Sequence, residues 1–124
     1  MLFGIGTDIV QVSRMHKWVE KSEMIERFFN PCEWMSKGSQ AAKCQHYAAR
    51  FAAKEAFSKA LGTGITGFSL QDVYITNDKS GKPILNVKDS AADVLKKQCG
   101  ECKLHVSLSH EKEYATAFVI IEVL

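Results

Sequence analysis

The chain has 124 residues and a mass of 13.8 kDa, a length that suits one folded domain without disulfide or metal staples. Apolar residues make up 46% and charged residues 24%, which is typical of a globular protein and excludes a disordered chain. The net charge of +2 argues against a nucleic-acid-binding domain, which is expected to be strongly basic. The chain is also short for an enzyme that must enclose a pocket alone, so a site shared between subunits stays open.

No segment of the sequence suits a membrane or a secretion signal. The longest apolar run, residues 117–121, is far shorter than a bilayer-spanning helix. Residues 1–4 lack the basic segment that opens a signal peptide. We therefore expect a cytoplasmic protein without a membrane partner, whose cysteines remain thiols.

The first half of the chain predicts one strand and two helices. Residues 2–10 predict a strand interrupted by Gly4 and Gly6, and such glycines indicate that another group approaches the backbone closely. Residues 13–29 predict a helix, and the Ala-rich segment 41–61 predicts a second, stronger one.

The second half predicts mainly strands. Residues 68–76 and 84–87 predict a hairpin, residues 90–98 a short helix, and residues 104–109 and 114–123 two further strands. The fold class is therefore α+β: a single domain occupying the whole chain, residues 1–124, with helices packed on one face of a mainly antiparallel sheet.

Glu55 is the unusual residue of the predicted helix 41–61. On a helical wheel with Cys44 at zero, Cys44 and Phe51 belong to an apolar stripe, and Glu55 lies near its middle at about 20°. A carboxylate there is costly unless a cation or a metal ion pairs with it. A simple i,i+4 pair with Lys59 is the plain alternative and is worth only about 0.2–0.5 kcal/mol.

Asp8 is the second candidate, because it lies at the end of the glycine-bearing strand. A helix cap is its plain alternative role. Two carboxylates with open coordination positions suit Mg²⁺, which completes its shell with waters and phosphate oxygens. Four basic residues would supply positive charge for such phosphates: Arg50, Lys54, Lys59 and His110.

Three blocks of residues make the sequence similar to a known family. They are Gly4-Ile5-Gly6-Thr7-Asp8 followed by Arg14, Arg50-Phe51-Ala52-Ala53-Lys54-Glu55-Ala56 through Lys59-Ala60, and Val106-Ser107-Leu108-Ser109-His110 running into Tyr114-Ala115. In this order and spacing the chain resembles the short class of 4'-phosphopantetheinyl transferases over nearly its full length. The resemblance implies that family's fold.

The resemblance also implies a reaction. Members move the phosphopantetheine arm of coenzyme A to a serine of apo-acyl carrier protein, release adenosine 3',5'-bisphosphate and support fatty acid biosynthesis. Asp8 and Glu55 match the family's Mg²⁺ ligands, and Lys59 matches a lysine near the reacting phosphate; these three would be the catalytic residues. Five further positions match, or lie next to, residues with which the family binds coenzyme A: Arg50, Lys54, Gly64, Ser109 and His110. The general base stays open between a metal-bound water, Glu55 and a group on the carrier.

The predicted helix 13–29 carries a candidate surface for an acidic partner. Arg14, Lys17, Trp18 and Lys21 are spaced at i, i+3, i+4 and i+7, which predicts one basic stripe containing an aromatic residue. A solvated face balanced by nearby glutamates is the plain alternative. Because the resembled family docks its acidic carrier on this helix, the stripe is predicted to bind acyl carrier protein.

The resemblance further implies a homotrimer whose active sites lie between neighbouring subunits, with His110 serving the neighbour's nucleotide. Two other functions stay open. One is a non-catalytic module that binds acidic proteins or nucleic acid through the basic stripe, and the other is a nucleotide hydrolase that uses the two carboxylates.

The pair Cys99 and Cys102 forms a lone CxxC motif. A structural zinc site would need a second pair of ligands at suitable spacing, and Cys32 and Cys44 are too far apart to provide it.

Overall fold

The computed structural model describes all 124 residues. Its strands are β1 (Leu2–Gln11), β2 (Val73–Asn77), β3 (Pro83–Val87), β4 (Cys102–His110) and β5 (Tyr114–Val123). Its helices are α1 (His16–Glu20), α2 (Glu23–Phe28), α3 (Gln40–Leu61) and α4 (Asp89–Cys99). One sheet has the order β1-β5-β4 and the other is the hairpin β2-β3, and every strand pair is antiparallel. The predicted α+β class is confirmed.

The long helix α3 packs chiefly against β1 and β5 and lies at the centre of the core. The Ser39 side chain caps its first turn by accepting a hydrogen bond from the Ala42 N–H at 3.1 Å. Gly62 ends the helix in the left-handed conformation, which glycine adopts readily at a helix C-terminus. The helix is buried on more sides than the single predicted stripe, because β2 and α1 also contact it. None of the four helices combines the length and apolar character needed to cross a bilayer.

The two glycines of β1 let this strand lie directly on α3. A Cβ atom at Gly4 would lie 1.9 Å from the Ala60 carbonyl oxygen, and one at Gly6 would lie 1.9 Å from the Ala56 carbonyl oxygen. The prediction of a close backbone approach is therefore confirmed. Because alternate residues of a strand face the same side, Asp8 also points toward α3, one step further along.

The predicted continuous helix over residues 13–29 is wrong. The chain forms a 3₁₀ turn at Val12–Met15, then α1 and α2, with Lys21 in an extended conformation between them. The Trp18 ring packs 5.1 Å from Phe51 and 5.6 Å from Phe28, measured between ring centroids. Helices this short depend on tertiary contacts for their stability. The Trp18 indole provides such contacts for both α1 and α2.

The remaining elements agree with prediction in type and order, and differ only at their boundaries. The segment 68–76 does not enter its strand until Val73, because Leu70–Asp72 forms a 3₁₀ turn. The observed β4 and α4 are each longer by a few residues than the predicted strand 104–109 and helix 90–98.

Only one face of the three-stranded sheet is covered by α3. The opposite face, which we call the outer face, carries apolar side chains that remain in solvent. Ile5, Ile9 and Phe118 are 61%, 60% and 51% exposed. Single exposed apolar residues are ordinary, whereas a cluster of them on adjacent paired strands is typical of contact surfaces.

Candidate active site

Asp8, Glu55 and Lys59 meet where β1 crosses the C-terminal half of α3. The Lys59 ammonium donates hydrogen bonds to Asp8 Oδ1 and to the Thr7 carbonyl oxygen, both at 3.0 Å. The Lys59 side chain is 54% exposed, so it can also reach a bound group. Both plain alternatives are wrong: Asp8 caps no helix, and Lys59 pairs with Asp8 rather than with Glu55.

The surroundings of Glu55 disfavour its charged form. Burial and the nearby Asp8 carboxylate raise the pKa of Glu55, while Lys59 and Arg14 oppose the rise. The two carboxylates are therefore close enough to repel each other, and the net effect favours a proton or another cation at this position.

These two carboxylates suit Mg²⁺ better than a metal that needs a full protein cage. The structure contains no group of three or more His, Cys, Asp or Glu side chains able to hold a metal ion. Mg²⁺ needs only one or two carboxylates, and the raised pKa of Glu55 shows that added positive charge would be favourable here. The residues present therefore fit the predicted ion.

A second cluster surrounds Arg50 on another side of α3. Arg50 and His110 line one pocket of about 330 Å³, together with His46 and Asn77. The guanidinium donates to the His46 carbonyl oxygen at 3.3 Å and to Asn77 Oδ1 at 3.4 Å, and its buried Nε has no partner. All of these partners are uncharged, so the cation is available to an anionic ligand.

His46 and Asn77 are members of this pocket that the sequence analysis missed. His46 Nε2 lies 2.6 Å from the Glu33 carbonyl oxygen and must donate to it, because a carbonyl only accepts. Burial and the Arg50 charge lower the pKa of His46 to about 4, so the ring is neutral at physiological pH. No sequence pattern connects these two residues, since Asn77 lies on β2 and His46 on α3.

Lys54 does not face the pocket, which contradicts its predicted contact with nucleotide. Its side chain is 1% exposed, and its ammonium lies 2.6 Å from Glu33 Oε1. The same nitrogen donates to the Leu70 and Val73 carbonyl oxygens, so its three hydrogens are used inside the protein. Lys54 lies one helical turn from Arg50 in the sequence, and this spacing contains no information on the buried carboxylate that pairs with Lys54.

Glu33 is the partner that the sequence did not reveal. Its carboxylate also accepts hydrogen bonds from the Asn30 N–H at 3.1 Å and the Ile75 N–H at 3.0 Å. This buried ion pair therefore ties the 3₁₀ turn at Pro31–Glu33 to α3 and β2. It supports the pocket wall, because β2 continues from Ile75 to Asn77.

The remaining predicted coenzyme A residues are exposed but separated. Ser109 and His110 are neighbours at the end of β4, and consecutive strand residues point to opposite faces. His110 therefore lines the Arg50 pocket, whereas Ser109 belongs to the outer face. Gly64 lies in the exposed loop after α3 with a φ of +69°, away from that pocket.

The predicted carrier stripe is only partly continuous. Arg14, Lys17 and Lys21 are exposed, but they lie on a 3₁₀ turn, on α1 and at the break after it. Trp18 is half-buried against the core rather than part of an exposed stripe. Arg14 is close enough to Glu55 to lower its pKa, so this basic surface adjoins the carboxylates.

The two clusters point in different directions from the same helix. Arg50 and Glu55 are five positions apart, which at 100° per residue separates them by about 140° around α3. The carboxylates also lie outside all four pockets of the chain. A ligand held by both clusters would therefore have to extend around the helix or bridge two subunits.

Comparison with known proteins identifies the family of this chain. The sequence model of the 4'-phosphopantetheinyl transferase superfamily matches residues 4–119. A holo-[acyl-carrier-protein] synthase of Treponema denticola is 49% identical over 98% of this chain and 99% of its own length. The chain therefore belongs to the holo-[acyl-carrier-protein] synthases of this superfamily.

Solved structures show the same fold. The crystal structure of a holo-(acyl-carrier-protein) synthase from Bacillus anthracis in complex with CoA (3',5'-ADP) is 38% identical, with a TM-score of 0.79. The alignment covers 100% of this chain and 99% of that one. The holo-ACP-synthase from Plasmodium yoelii has a TM-score of 0.86 at 30% identity, covering 100% and 97% of the two chains.

Proposed function

We propose that this protein transfers 4'-phosphopantetheine from coenzyme A to a serine of apo-acyl carrier protein. The products are holo-acyl carrier protein and adenosine 3',5'-bisphosphate, and the reaction supports fatty acid biosynthesis. The observation that carries the proposal is the meeting of Asp8, Glu55 and Lys59 at an open position on a chain of this family. Four free cysteines agree with a cytoplasmic setting.

Asp8 and Glu55 would hold Mg²⁺, and Lys59 would act beside it. Bound Mg²⁺ supplies charge stabilisation at phosphate oxygens. Lys59 has a third hydrogen that neither Asp8 nor Thr7 uses, and this hydrogen can bond a phosphate oxygen.

In the transfer, the carrier serine oxygen attacks phosphorus and the bond to the leaving bisphosphate breaks. Negative charge then grows on the leaving phosphate. The Lys59 ammonium would stabilise that charge, and positioning with electrostatic stabilisation does most of the catalysis in such reactions. The base that accepts the serine proton is a water at the carboxylates, Glu55 itself or a carrier group.

The Arg50 pocket would hold the nucleotide end of coenzyme A. We expect Arg50→Ala to raise the KM for coenzyme A by roughly 10- to 100-fold, because a charge-assisted hydrogen bond contributes about 1.5–3 kcal/mol. The kcat should change much less, since in this assignment Arg50 binds the nucleotide end rather than the reacting phosphate. Steady-state kinetics at saturating carrier measures both, and Lys96→Ala on the exposed face of α4 is the control. An unchanged KM would remove Arg50 from the binding site.

The exposed basic residues Arg14, Lys17 and Lys21 would contact the acidic carrier. The position of Arg14 close to Glu55 supports this assignment, because the carrier serine must reach the same point. Trp18 would support that surface from within by holding α1 and α2 together.

We propose that the active protein is a homotrimer with each active site between two subunits. Its support is the apolar outer face, the position of the two half-buried carboxylates outside every pocket of the single chain, and the angle of about 140° between Arg50 and Glu55. In this arrangement the Arg50 and His110 pocket of one subunit would complete the carboxylate site of its neighbour.

Mixing two defective variants tests this shared site. A co-refolded mixture of Glu55→Gln and Arg50→Ala chains should recover activity at low coenzyme A concentration, because some interfaces then contain both intact residues. Each variant refolded alone should stay defective. A companion substitution, Ile9→Lys on the outer face, should give monomers by sedimentation, whereas Ile84→Lys on β3 should not. No recovery in the mixture would place both residues in the same subunit.

The reaction itself is tested by the mass of the carrier. Incubation with apo-carrier, coenzyme A and Mg²⁺ should add one phosphopantetheine to the carrier, and a carrier whose acceptor serine is alanine should stay unchanged. Nucleotide release without a carrier mass change would indicate a hydrolase. Carrier binding without either product would indicate a non-catalytic module.

A further inference from the structure

The motif that the proposed reaction leaves unused is the pair Cys99 and Cys102. Cys99 is the last residue of α4 and Cys102 the first of β4, and their Sγ atoms lie 3.4 Å apart. Gly100 lies between them with a φ of +69°, a backbone conformation that glycine adopts readily. The tight connection from helix to strand therefore brings the two sulfur atoms together.

This arrangement does not match a zinc site, because no third ligand joins the two sulfurs. It is also unlike the other two thiols: Cys32 is exposed, Cys44 is buried, and neither lies beside another cysteine. A disulfide requires about 2.05 Å between sulfur atoms. Side-chain rotation within the connection can supply the difference from 3.4 Å.

We propose that Cys99 and Cys102 form a reversible dithiol–disulfide site that low-molecular-weight disulfides oxidise. Cys99 attacks one sulfur of the small disulfide, which forms a mixed disulfide and releases one small thiol. Cys102 then attacks the Cys99 sulfur, which closes the protein disulfide and releases the second small thiol. The protein gives up two electrons and two protons, and the oxidant takes them as two thiols.

The surroundings of Cys102 explain the order of the two attacks. Burial, followed by the hydrogen bond to Cys99 and its charge, raises the pKa of Cys102 to about 11. Cys102 is therefore a protonated thiol at neutral pH, and the first attack belongs to Cys99. Once Cys99 is in a mixed disulfide, it no longer raises the pKa of Cys102 through its hydrogen bond or its charge. Cys102 then loses its proton more readily.

The site is independent of the proposed catalytic function and of the proposed trimer. Cys102 lies on the same side of β4 as Leu104 and Leu108, opposite to the outer face. A subunit packed on the outer face would leave the thiols uncovered. The carboxylates and Lys59 lie at β1 and α3, so oxidation should leave transferase activity unchanged.

Alkylation after exposure to glutathione disulfide tests the proposal in the full-length protein. The untreated protein should take up four alkyl groups when denatured, and the oxidised protein two, with Cys99 and Cys102 linked in one peptide. The link should form at a glutathione disulfide concentration at least about tenfold below that which modifies Cys32, because the second thiol is already adjacent. Dithiothreitol should restore four alkylation sites.

Two single variants serve as controls. Cys102→Ser should trap glutathione on Cys99, because the resolving thiol is missing, and Cys32→Ser should oxidise like the natural protein. Circular dichroism checks that each variant is folded. Equal glutathione modification of Cys32 and Cys99 in the natural protein, or four alkylated cysteines throughout the titration, would overturn the proposal.

Discussion

Replacing Glu55 with glutamine should abolish phosphopantetheine transfer while leaving the protein as stable as before or more stable. The loss follows because the amide carries no charge for the cation, and removing one such electrostatic contribution lowers kcat by about 10²–10³-fold. The variant should gain stability because burial and Asp8 disfavour the charged Glu55 carboxylate, as its raised pKa shows. Intact-mass assays of the carrier and thermal unfolding measure the two effects.

The pH dependence of the stability difference gives a second check on Glu55. A carboxyl whose pKa is raised in the folded state destabilises the protein as pH rises from its ordinary value of 4.5 through the folded value. The glutamine variant lacks this loss, so its advantage in Tm should be full at neutral pH and should vanish below about pH 4.5.

Glu23→Gln on the exposed surface of α2 is the matched control for Glu55→Gln, and it should change neither activity nor the pH profile of Tm. Full activity in Glu55→Gln would exclude Glu55 from the metal site. A large fall in Tm would show instead that the carboxylate is structural.

Replacing Lys54 with methionine should strongly destabilise the protein. The substitution leaves the Glu33 carboxylate buried without its cation, and breaking a buried pair in this way costs about 3–5 kcal/mol. For a domain of this size the Tm should fall by about 10–20 °C. Calorimetry measures the loss, and Lys43→Met near the start of α3 should have little effect.

The double variant Glu33→Gln with Lys54→Met separates a structural role from ligand binding. Removing both charges should recover part of the lost Tm, because no uncompensated ion remains in the interior. If Lys54→Met keeps its Tm and only loses affinity for coenzyme A, the buried ion pair is not the role of Lys54.

Much of the fold follows from local patterns along the chain. Alternation predicted β5 over residues 114–123, and the Ala-rich period with its terminal glycine predicted α3. The helix over residues 13–29 failed because Trp18 finds its partners far away, at Phe51 in α3, and this contact outweighs local propensity.

The same distinction applies to the site. Asp8 and Glu55 were singled out because each departs from a local pattern: Asp8 follows the two glycines of a predicted strand, and Glu55 lies within an apolar stripe. The strand does not end near Asp8 as predicted but continues to Gln11. Lys54 was misplaced and Glu33 missed because their partnership joins residues 21 positions apart, in segments with no shared periodicity. His46 stayed hidden for the same reason, since its partner is a backbone oxygen, which has no signature in sequence.

The glycines of β1 have one more consequence. At Gly4 and Gly6 the strand meets the carbonyl oxygens of Ala60 and Ala56 with no side chain between them. The separation between Asp8 and Glu55 is therefore set by contact between two peptide backbones rather than by the packing of side chains. Substitutions that change side-chain volume elsewhere in the interior can lower stability and still leave the two carboxylates in place, whereas a single methyl group at Gly6 would push Asp8 away from Glu55.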